Sequence, residues 1–418
     1  MKNKENDNKE DINDNSNNDG IIIEKLNSSK IIVKMNNKKD DSFEILEKER
    51  EFNEDYDFSE LSFKNIYQNN PLFKHVISHL SEYLKNKASD KETIECLSEF
   101  INVDEFSEEI INKILLNGIP QSLPCLRPLI WKTFIGFYPI KDLSKWGEVS
   151  VKKNSEYKKF KEKYNYYPND IKEEIDKKIL IQINKDLPRT RYDCPFFQEK
   201  NINNKNETNY DVLKRILFFY SKEHTNIGYI QGMNEIIAII FYIFSKDDNP
   251  FIKEYSESDS YFTFEQLLEE IKDILKMDNV NYSDLCVAKQ IKEIKKIIKK
   301  DEPKLFEYFQ EIDFEIDNFV LRWILVMFAQ FFTLDVAVNF WDRVFTQKNK
   351  MKFICYISVA IIKNNKDDLM KMDTTEIMEW ARQLENKMNE IDIDNIVKIA
   401  LKIQSKNEIK RSKTILEK

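Results

Sequence analysis

The sequence contains few of the residues that metal centres and histidine-based hydrolases need. Among its 418 residues are three histidines and five cysteines, and the cysteines lie far apart with no CxxC or other metal-ligand spacing. His75 and His79 are four residues apart, but no glutamate lies between them and no third ligand is near, which favours helix packing or a surface position over a zinc site. A phosphate-binding GxxxxGK(S/T) motif is also absent from the sequence, so we do not expect the chain to hydrolyse a nucleotide by itself.

The sequence also lacks long apolar runs and a large excess of one charge. The longest apolar stretches, such as residues 236–244, fall well short of the ~18 residues that a membrane-spanning helix requires. The first residues show no apolar signal segment, and neither end offers an acceptor for a myristoyl or prenyl group, so the expected location is cytoplasmic. The net charge is −8, with both signs interleaved along the chain, which predicts no general attraction to nucleic acid or anionic lipid.

Composition and apolar spacing predict an all-α protein with a disordered N-terminal extension. Residues 1–55 are rich in Asn, Asp, Lys and Glu and hold too little apolar surface to offset the entropy of ordering. Residues 56–96 are interpreted as a helical lead-in, residues 97–405 as the main domain and residues 406–418 as a charged tail. Period-two strand patterns are almost absent from the main domain. The apolar spacing there predicts helices at 210–221, 232–245, 262–276, 286–300, 318–332, 335–346, 351–364 and 392–404.

Glycine is scarce, with six residues in the chain against the ~7% that is usual in globular proteins. Each glycine is therefore expected to serve a need of the backbone. Four of them, Gly118, Gly136, Gly228 and Gly232, fall in two short stretches of sequence. We expect unusual turns or close approaches of the backbone there.

Arg189 is expected just beyond the end of a helix. Residues 172–186 form an amphipathic helical pattern, but Pro188 lacks an amide proton and disfavours helical geometry in the residue before it, so the helix should end near Asp186. An arginine on such a turn, with an acidic residue three positions earlier to hold the guanidinium, suits delivery of charge to the phosphates of another molecule. Taken alone, the pattern favours the commoner alternative, a surface salt bridge.

Gln231 is expected in a constrained turn at the start of a strongly apolar helix. Gly228 and Gly232 enclose Tyr229, Ile230 and Gln231. A carboxamide in that position both donates and accepts hydrogen bonds, so it can orient a water molecule for attack. The alternative, which carries equal weight, is that Gln231 caps the helix and Tyr229 packs in the core.

Several groups of basic and aromatic residues are interpreted as structural. Arg127 and Trp131 are one helical turn apart on the same face, and cation-π packing is the preferred explanation for the pair. Residues 322–323 and 340–343 are interpreted as polar anchors in an aromatic core. The lysine-rich stretch 289–300, with isoleucines at helical spacing, suits an acidic membrane surface or, more commonly, a solvated helix face.

Taken together, these residues resemble the TBC (Tre-2/Bub2/Cdc16) domain of GTPase-activating proteins for Rab GTPases. The motifs occur in the same order: GIP and LRPLIW within 118–131, IxxDxxR at 183–189, YxQGMNE at 229–235, LRW at 321–323 and FWDRVF at 340–345. The resemblance covers nearly three quarters of the chain. A YxQGM motif about forty residues after IxxDxxR, in a helical background, is a highly specific combination.

The resemblance implies a two-lobed, V-shaped helical domain whose groove receives the switch regions of a Rab in its GTP state. It implies that Arg189 acts as a finger on the transferring phosphate and that Gln231 replaces the Rab's own glutamine. The Rab would hold the GTP and the Mg²⁺, and any contact with endomembranes would be peripheral and would run through the Rab. The residues expected to orient or support the two fingers are Asp186, Tyr229, Gly232, Arg127 and Trp131.

Three alternatives stay open on the sequence. Arg191 is close enough to be a rival finger, although the motif spacing favours Arg189. The chain is alternatively a catalytically silent adaptor that binds an active Rab and recruits other proteins, although an intact finger pair favours activity. A purely structural helical scaffold is the third reading, and it would leave both finger side chains buried away from any groove.

Overall fold

The computed structural model describes residues 21–27, 30–35, 108–119, 126–139, 145–164, 173–247, 249–275, 286–387 and 392–416. The chain divides into two compact units, Met1–Leu61 and Ser62–Lys418. The boundaries predicted at 55/56 and 96/97 lie outside the described residues, as do His75, His79 and Pro120.

The described part of the first unit is a two-stranded antiparallel hairpin. Strand β1, Ile21–Asn27, pairs with strand β2, Lys30–Met35, so that Ile23 lies opposite Val33. Isoleucine and valine favour extended backbone because their branched side chains restrict rotation about χ1. The hairpin was not predicted, since the surrounding Asn, Asp and Lys residues dominate the composition of this segment.

Regular secondary structure in the described part of the second unit is helical, apart from one isolated bridge between Lys200 and Thr208, which confirms the all-α fold class. The helices of its first half are α1 Glu108–Asn117, α2 Arg127–Phe134, α3 Trp146–Lys163, α4 Glu174–Asp186, α5 Asn209–Glu223, α6 Met233–Lys246, α7 Pro250–Glu254 and α8 Ser256–Leu275. Those of its second half are α9 Cys286–Asp301, α10 Pro303–Glu311, α11 Asp317–Leu325, α12 Leu334–Phe345, α13 Lys350–Asn364, α14 Lys366–Leu369, α15 Thr374–Lys387 and α16 Ile393–Leu416.

Two helices, α6 and α13, form the centre of the packing. Helix α6 contacts α2, α5, α8 and α12, and its residues 236–241 are buried on every side. Helix α13 contacts α9, α11, α12 and α16 in the same way. Both sequences are apolar around the whole helix, as a helix enclosed by neighbours requires.

The apolar run at 318–332 does not form one helix, so that prediction is wrong at its C-terminal half. Helix α11 ends at Leu325, and Met327 and Phe328 adopt left-handed backbone with φ of 49° and 60°. The indole of Trp341 donates a hydrogen bond to the Met327 carbonyl at 3.0 Å, which this bend presents to α12. A tertiary contact therefore ends the helix where the local apolar pattern continues. At the other end of the unit, α16 continues to Leu416, across the boundary predicted at residue 405.

The lysine-rich helix α9 is amphipathic, as its pattern predicts. Ile291, Ile294, Ile297 and Ile298 are buried in the core. Lys295 forms ion pairs with Glu315 and Asp317, while most of the other lysines are exposed. Among the described helices, none combines the length and apolarity needed to cross a bilayer.

Candidate functional site

Arg189 lies on a short turn that is anchored by buried residues on either side. Helix α4 ends at Asp186, as Pro188 predicts, and a 3₁₀ turn follows at Leu187–Arg189. Leu187 and Thr190 are buried on either side, and the Thr190 hydroxyl donates to the Asp186 carbonyl at 3.1 Å. The Arg189 side chain is exposed, so the turn presents the guanidinium outward from a packed base.

Gln231 lies on a second turn, between two glycines with positive φ. Gly228 has φ 68° and Gly232 has φ 104°, and Gly232 is the N-cap residue of α6. No side chain caps this helix, and Gln231 is exposed, so the alternative in which Gln231 caps the helix is wrong. Tyr229 does pack partly against the core, as that alternative expected.

Hydrogen bonds join these two turns on both sides of the exposed residues. The Tyr229 hydroxyl lies 2.8 Å from Asp186 Oδ2 and 3.0 Å from Asn234 Oδ1, two acceptors that share its single proton. The Asn234 amide nitrogen donates to Thr190 Oγ1 at 2.8 Å, and its oxygen accepts from the Gly232 N–H at 3.0 Å. The Tyr229–Asp186 and Asn234–Thr190 contacts join the two turns, and we call these two contacts the inter-turn bonds, while the other two brace the Gln231 turn internally.

The environment of Tyr229 keeps its hydroxyl protonated. Burial raises the pKa of Tyr229 well above its ordinary value, and the hydrogen bond to Asp186 raises it further because the ionised phenol would lie against a carboxylate. Tyr229 is therefore a hydrogen-bond donor throughout the physiological pH range.

Asp186 does not hold the Arg189 guanidinium, contrary to the first expectation from the sequence. Its carboxylate is buried and accepts from Tyr229 instead. Among the described residues no carboxylate lies within ion-pair distance of Arg189, so the surface salt-bridge alternative finds no partner there. Asp186 contacts the second turn through Tyr229, and the expectation that these two residues orient the exposed side chains stays a prediction.

Arg191 is buried and its guanidinium already donates hydrogen bonds within the protein, so it is not available as the rival finger. Its side chain is 6% exposed, and its guanidinium donates to the carbonyls of Phe332 at 2.6 Å and of Ala329. Its Nε lies 3.5 Å from Glu235 on the first turn of α6. Burial raises the pKa of Glu235 to about 7, although Arg191 opposes this shift.

Arg127 and Trp131 on α2 share one buried carboxylate, Asp342 on α12. Arg127 donates through Nε and one terminal nitrogen, both at 2.9 Å, and the Trp131 indole donates at 2.8 Å. The Ile119 N–H donates to the same group at 3.2 Å. The expected cation-π pairing of Arg127 with Trp131 is therefore replaced by a common acceptor, which saturates the buried charge.

The anchors predicted at 322–323 and 340–343 divide between core and surface. Trp323, Trp341, Asp342 and Arg343 are buried in the aromatic core, as predicted. Arg322 is exposed, with its guanidinium 5.5 Å from the centre of the Phe331 ring, so its interpretation as a core anchor is wrong.

Sequence reasoning assigned no role to Thr190, Asn234 or Glu235, although Thr190 directly follows the first motif and the other two belong to the second. Their neighbours Arg189 and Gly232 carried the available signal, because a polar residue next to a constrained turn commonly bonds across it. The described residues contain no group of three or more His, Cys, Asp or Glu side chains arranged to hold a metal ion.

A family model of the Rab-GTPase-TBC domain matches residues 124–370, more than half of the chain. Human TBC1 domain family member 13 is 30% identical over 169 residues, which cover 40% of this chain and 42% of that protein. The GTPase-activating protein GYP1 of Saccharomyces cerevisiae is 25% identical over 279 residues, which cover 62% of this chain and 41% of that protein. The chain thus spans about two fifths of the length of each of these relatives.

Two solved structures share the fold. The crystal structure of the Ypt/Rab-GAP domain of Gyp1p superposes with a TM-score of 0.60 at 22% identity, over 79% of this chain and 98% of that chain. The Chlamydomonas flagellar RabGAP TBC domain superposes with a TM-score of 0.51 at 16% identity, over 78% of this chain and 95% of that chain. These likenesses show the fold, and the family match, which spans both the Arg189 and the Gln231 turns, establishes that the chain belongs to the Rab-GTPase-TBC domain family.

Proposed function

We propose that this chain is a GTPase-activating protein for a Rab-family small GTPase, and that Arg189 and Gln231 complete the catalytic site of the Rab in trans. The observation that carries the proposal is that both side chains are exposed, on two turns that the inter-turn bonds hold together. Membership of the Rab-GTPase-TBC domain family supports a Rab as the partner. The outward position of both side chains also counts against the purely structural scaffold.

In the proposed reaction the Rab supplies the GTP and the Mg²⁺, and this chain supplies two polar side chains. The Arg189 guanidinium would neutralise the charge that builds on the β,γ-bridging and γ oxygens as the phosphoryl group leaves. The Gln231 carboxamide would align the attacking water by donating to it and accepting from it. The exposed Arg189 side chain, with no carboxylate of the described residues paired to it, suits delivery of positive charge to the phosphates of the Rab.

The buried base of the two turns supplies the order that such a site requires. A finger contributes to the rate only when its charge is held where the transition state develops, so that little reorganisation is needed. Arginine fingers accelerate GTP hydrolysis ~10³- to 10⁵-fold, which corresponds to about 4 to 7 kcal/mol of barrier. Loss of Arg189 should therefore remove nearly all stimulation while affecting docking less.

The test is phosphate release from a panel of GTP-loaded Rabs mixed with the full chain. We expect at least one Rab to be accelerated, and Arg189→Ala and Gln231→Ala each to abolish most of that acceleration. Arg382→Ala and Gln383→Ala are the matched controls, because both residues are exposed on α15 and each bonds to Glu379 on the same helix. The controls should retain the activity of the unchanged chain.

The same panel separates activation from the adaptor function. Binding of a GTP-loaded Rab with no acceleration by the unchanged chain would contradict the proposal and would identify the chain as a silent adaptor. Equal loss of activity in the control variants would show that the two finger positions are not special.

A place in vesicle trafficking follows from the proposed partner. An activator of a Rab would work in the cytoplasm, at the surface of the endomembrane that carries its Rab, and would reach that surface through the Rab itself. Localisation of the tagged chain with and without its accelerated Rab tests this extension directly.

A further inference from the structure

Left-handed backbone in residues other than glycine is concentrated beside the turns that carry Arg189 and Gln231, which we call the finger turns. Among the described residues, four non-glycine residues have positive φ: Arg191, Asp313, Met327 and Phe328. Three of these four meet at one contact, between the Arg189 turn and residues 326–332, which we call the buttress turn. Left-handed backbone is strained for an L-residue, so it persists only where the surrounding structure requires it.

Arg191 joins the Arg189 turn to the buttress turn. Its two terminal nitrogens donate to the carbonyls of Phe332 and Ala329 in the buttress turn. Its φ of 46° turns the side chain inward, directly after the outward-facing Arg189 and the buried Thr190. The guanidinium therefore connects three segments: the Arg189 turn, the buttress turn and, through Glu235, the first turn of α6.

The buttress turn also contacts the Gln231 turn. Gly232 lies against Val326 so closely that a Cβ atom at position 232 would be 2.6 Å from Val326 Cγ1. A separation below 3.0 Å between such atoms forces one of them to move. The buttress turn thus touches the residue next to Gln231 on one side and the residue two positions after Arg189 on the other.

The core holds the buttress turn itself in place. The Phe328 ring packs 5.3 Å from Trp323 and 5.6 Å from Phe340, measured between ring centres. The Trp341 indole fixes the Met327 carbonyl at 3.0 Å. A rigid turn that is strained, wedged by aromatic rings and in contact with both finger turns is suited to set their relative position.

We infer that Arg191 is a positioning residue, which acts through the buttress turn to hold Arg189 and Gln231 at the separation needed by one γ-phosphate. This inference rests on the proposed function but assigns a role that the finger motifs do not. Arg191 does not touch the nucleotide in this arrangement. Its effect reaches the reaction only through the placement of the two exposed side chains.

The first experiment compares Arg191→Met and Arg191→Lys with the control Arg215→Met. Methionine keeps the apolar length of arginine but donates no hydrogen bond, while lysine keeps the charge but loses the two-pronged geometry. Arg215 on α5 is a fair control because it is similarly buried and donates to both carboxylate oxygens of Glu257 on α8, at 2.7 and 2.9 Å. Each variant is assayed with a GTP-loaded Rab that the unchanged chain accelerates, at a temperature where all the variants are folded.

We expect Arg191→Met to lower kcat about 10- to 100-fold while KM changes little, since a misplacement of about 1 Å costs a reaction of this kind up to about 100-fold. Arg191→Lys should be intermediate. Arg215→Met should lower the melting temperature without a comparable loss of kcat. If Arg191→Met retains kcat and loses only thermal stability, as Arg215→Met does, the positioning role is overturned while the proposed function stands.

A second measurement does not depend on hydrolysis. Amide hydrogen exchange is followed in the same proteins without a Rab, over residues 187–191 and 228–233. Arg191→Met should accelerate exchange in both segments, and Arg215→Met in neither. Unchanged exchange in the 228–233 segment would refute the coupling, even in the case that no Rab is accelerated and the proposed function fails.

Discussion

Gly232 offers the sharpest single-atom test of the site, because one added methyl group meets both the backbone and the buttress turn. In Gly232→Ala the new Cβ would lie 2.6 Å from Val326 Cγ1, on a residue whose φ is 104°. Gly228→Ala is the matched control: its φ is 68°, but no atom lies within 4 Å of the position that its Cβ would take. Both variants strain the backbone, and only the first collides with a neighbour.

The expected cost follows from these two effects. Positive φ at alanine costs about 1 to 3 kcal/mol in either variant. Overpacking against Val326 adds about 1 to 3 kcal/mol in Gly232→Ala alone. We therefore expect Gly232→Ala to destabilise the fold by about 2 to 6 kcal/mol if the turn keeps its conformation, and Gly228→Ala by about half as much. If the turn instead relaxes to relieve the strain, the adjacent Gln231 moves with it, and we then expect kcat to fall because the carboxamide is misplaced.

The assay combines urea unfolding with measurement of stimulated phosphate release. The double variant Gly232→Ala with Val326→Ala tests whether the collision with Val326 causes the loss of stability. Truncation of Val326 removes the colliding Cγ1 atom, so the double variant should lose less stability than the sum of the two single variants. Additive losses would show that the contact with Val326 is not the source of the strain. Equal behaviour of Gly228→Ala and Gly232→Ala would refute the steric argument altogether.

Three further predictions concern the buried polar groups. Tyr229→Phe removes the hydroxyl proton that Asp186 and Asn234 share, so it should lower the free energy of unfolding by about 1 to 3 kcal/mol. It should also lower kcat by a larger factor than it changes KM. An unchanged kcat would exclude an orienting role for Tyr229. Asp342→Asn leaves the buried Arg127 guanidinium without its counter-charge and should lower the free energy of unfolding in urea by about 3 to 5 kcal/mol. If Asp342→Asn lowered the free energy of unfolding no more than a substitution of an exposed residue does, this account of the buried Arg127–Asp342 pair would be contradicted. The pKa of Glu235 is raised by burial to about 7 from 4.5, so its contribution to stability is present below pH 4.5 and is lost as the pH rises through 7. Glu235→Gln cannot ionise and should lack this fall, which is on the order of 3 kcal/mol; parallel curves of unfolding free energy against pH would refute the assignment.

The placement of both finger turns was predictable because local covalent geometry decides it. Pro188 cannot continue α4, so the helix ends at Asp186 and Arg189 falls on the turn beyond. Gly228 and Gly232 can adopt positive φ without the steric cost of a side chain, and both do. Both effects act within a few residues and need no knowledge of the fold.

The partners of the buried charges were not predictable in the same way. The acceptor that Arg127 and Trp131 share lies 215 residues from Arg127, and nothing in the spacing of that pair identifies it. The end of α11 at Leu325 was missed for the same reason, since the apolar pattern continues while a hydrogen bond from Trp341 holds the bend. Long-range contacts of this kind override local periodicity.

The two arginines of the sequence PRTR show where local information ends. Their chemistry is the same, and the motif spacing alone favoured Arg189. Local sequence determined the all-helical class, the chain reversals and the two candidate side chains, because proline, glycine and apolar periodicity restrict the backbone directly. Only the tertiary structure decided that Arg189 faces solvent while Arg191 is buried against two carbonyls, because those carbonyls come from a distant turn that packing brings to it.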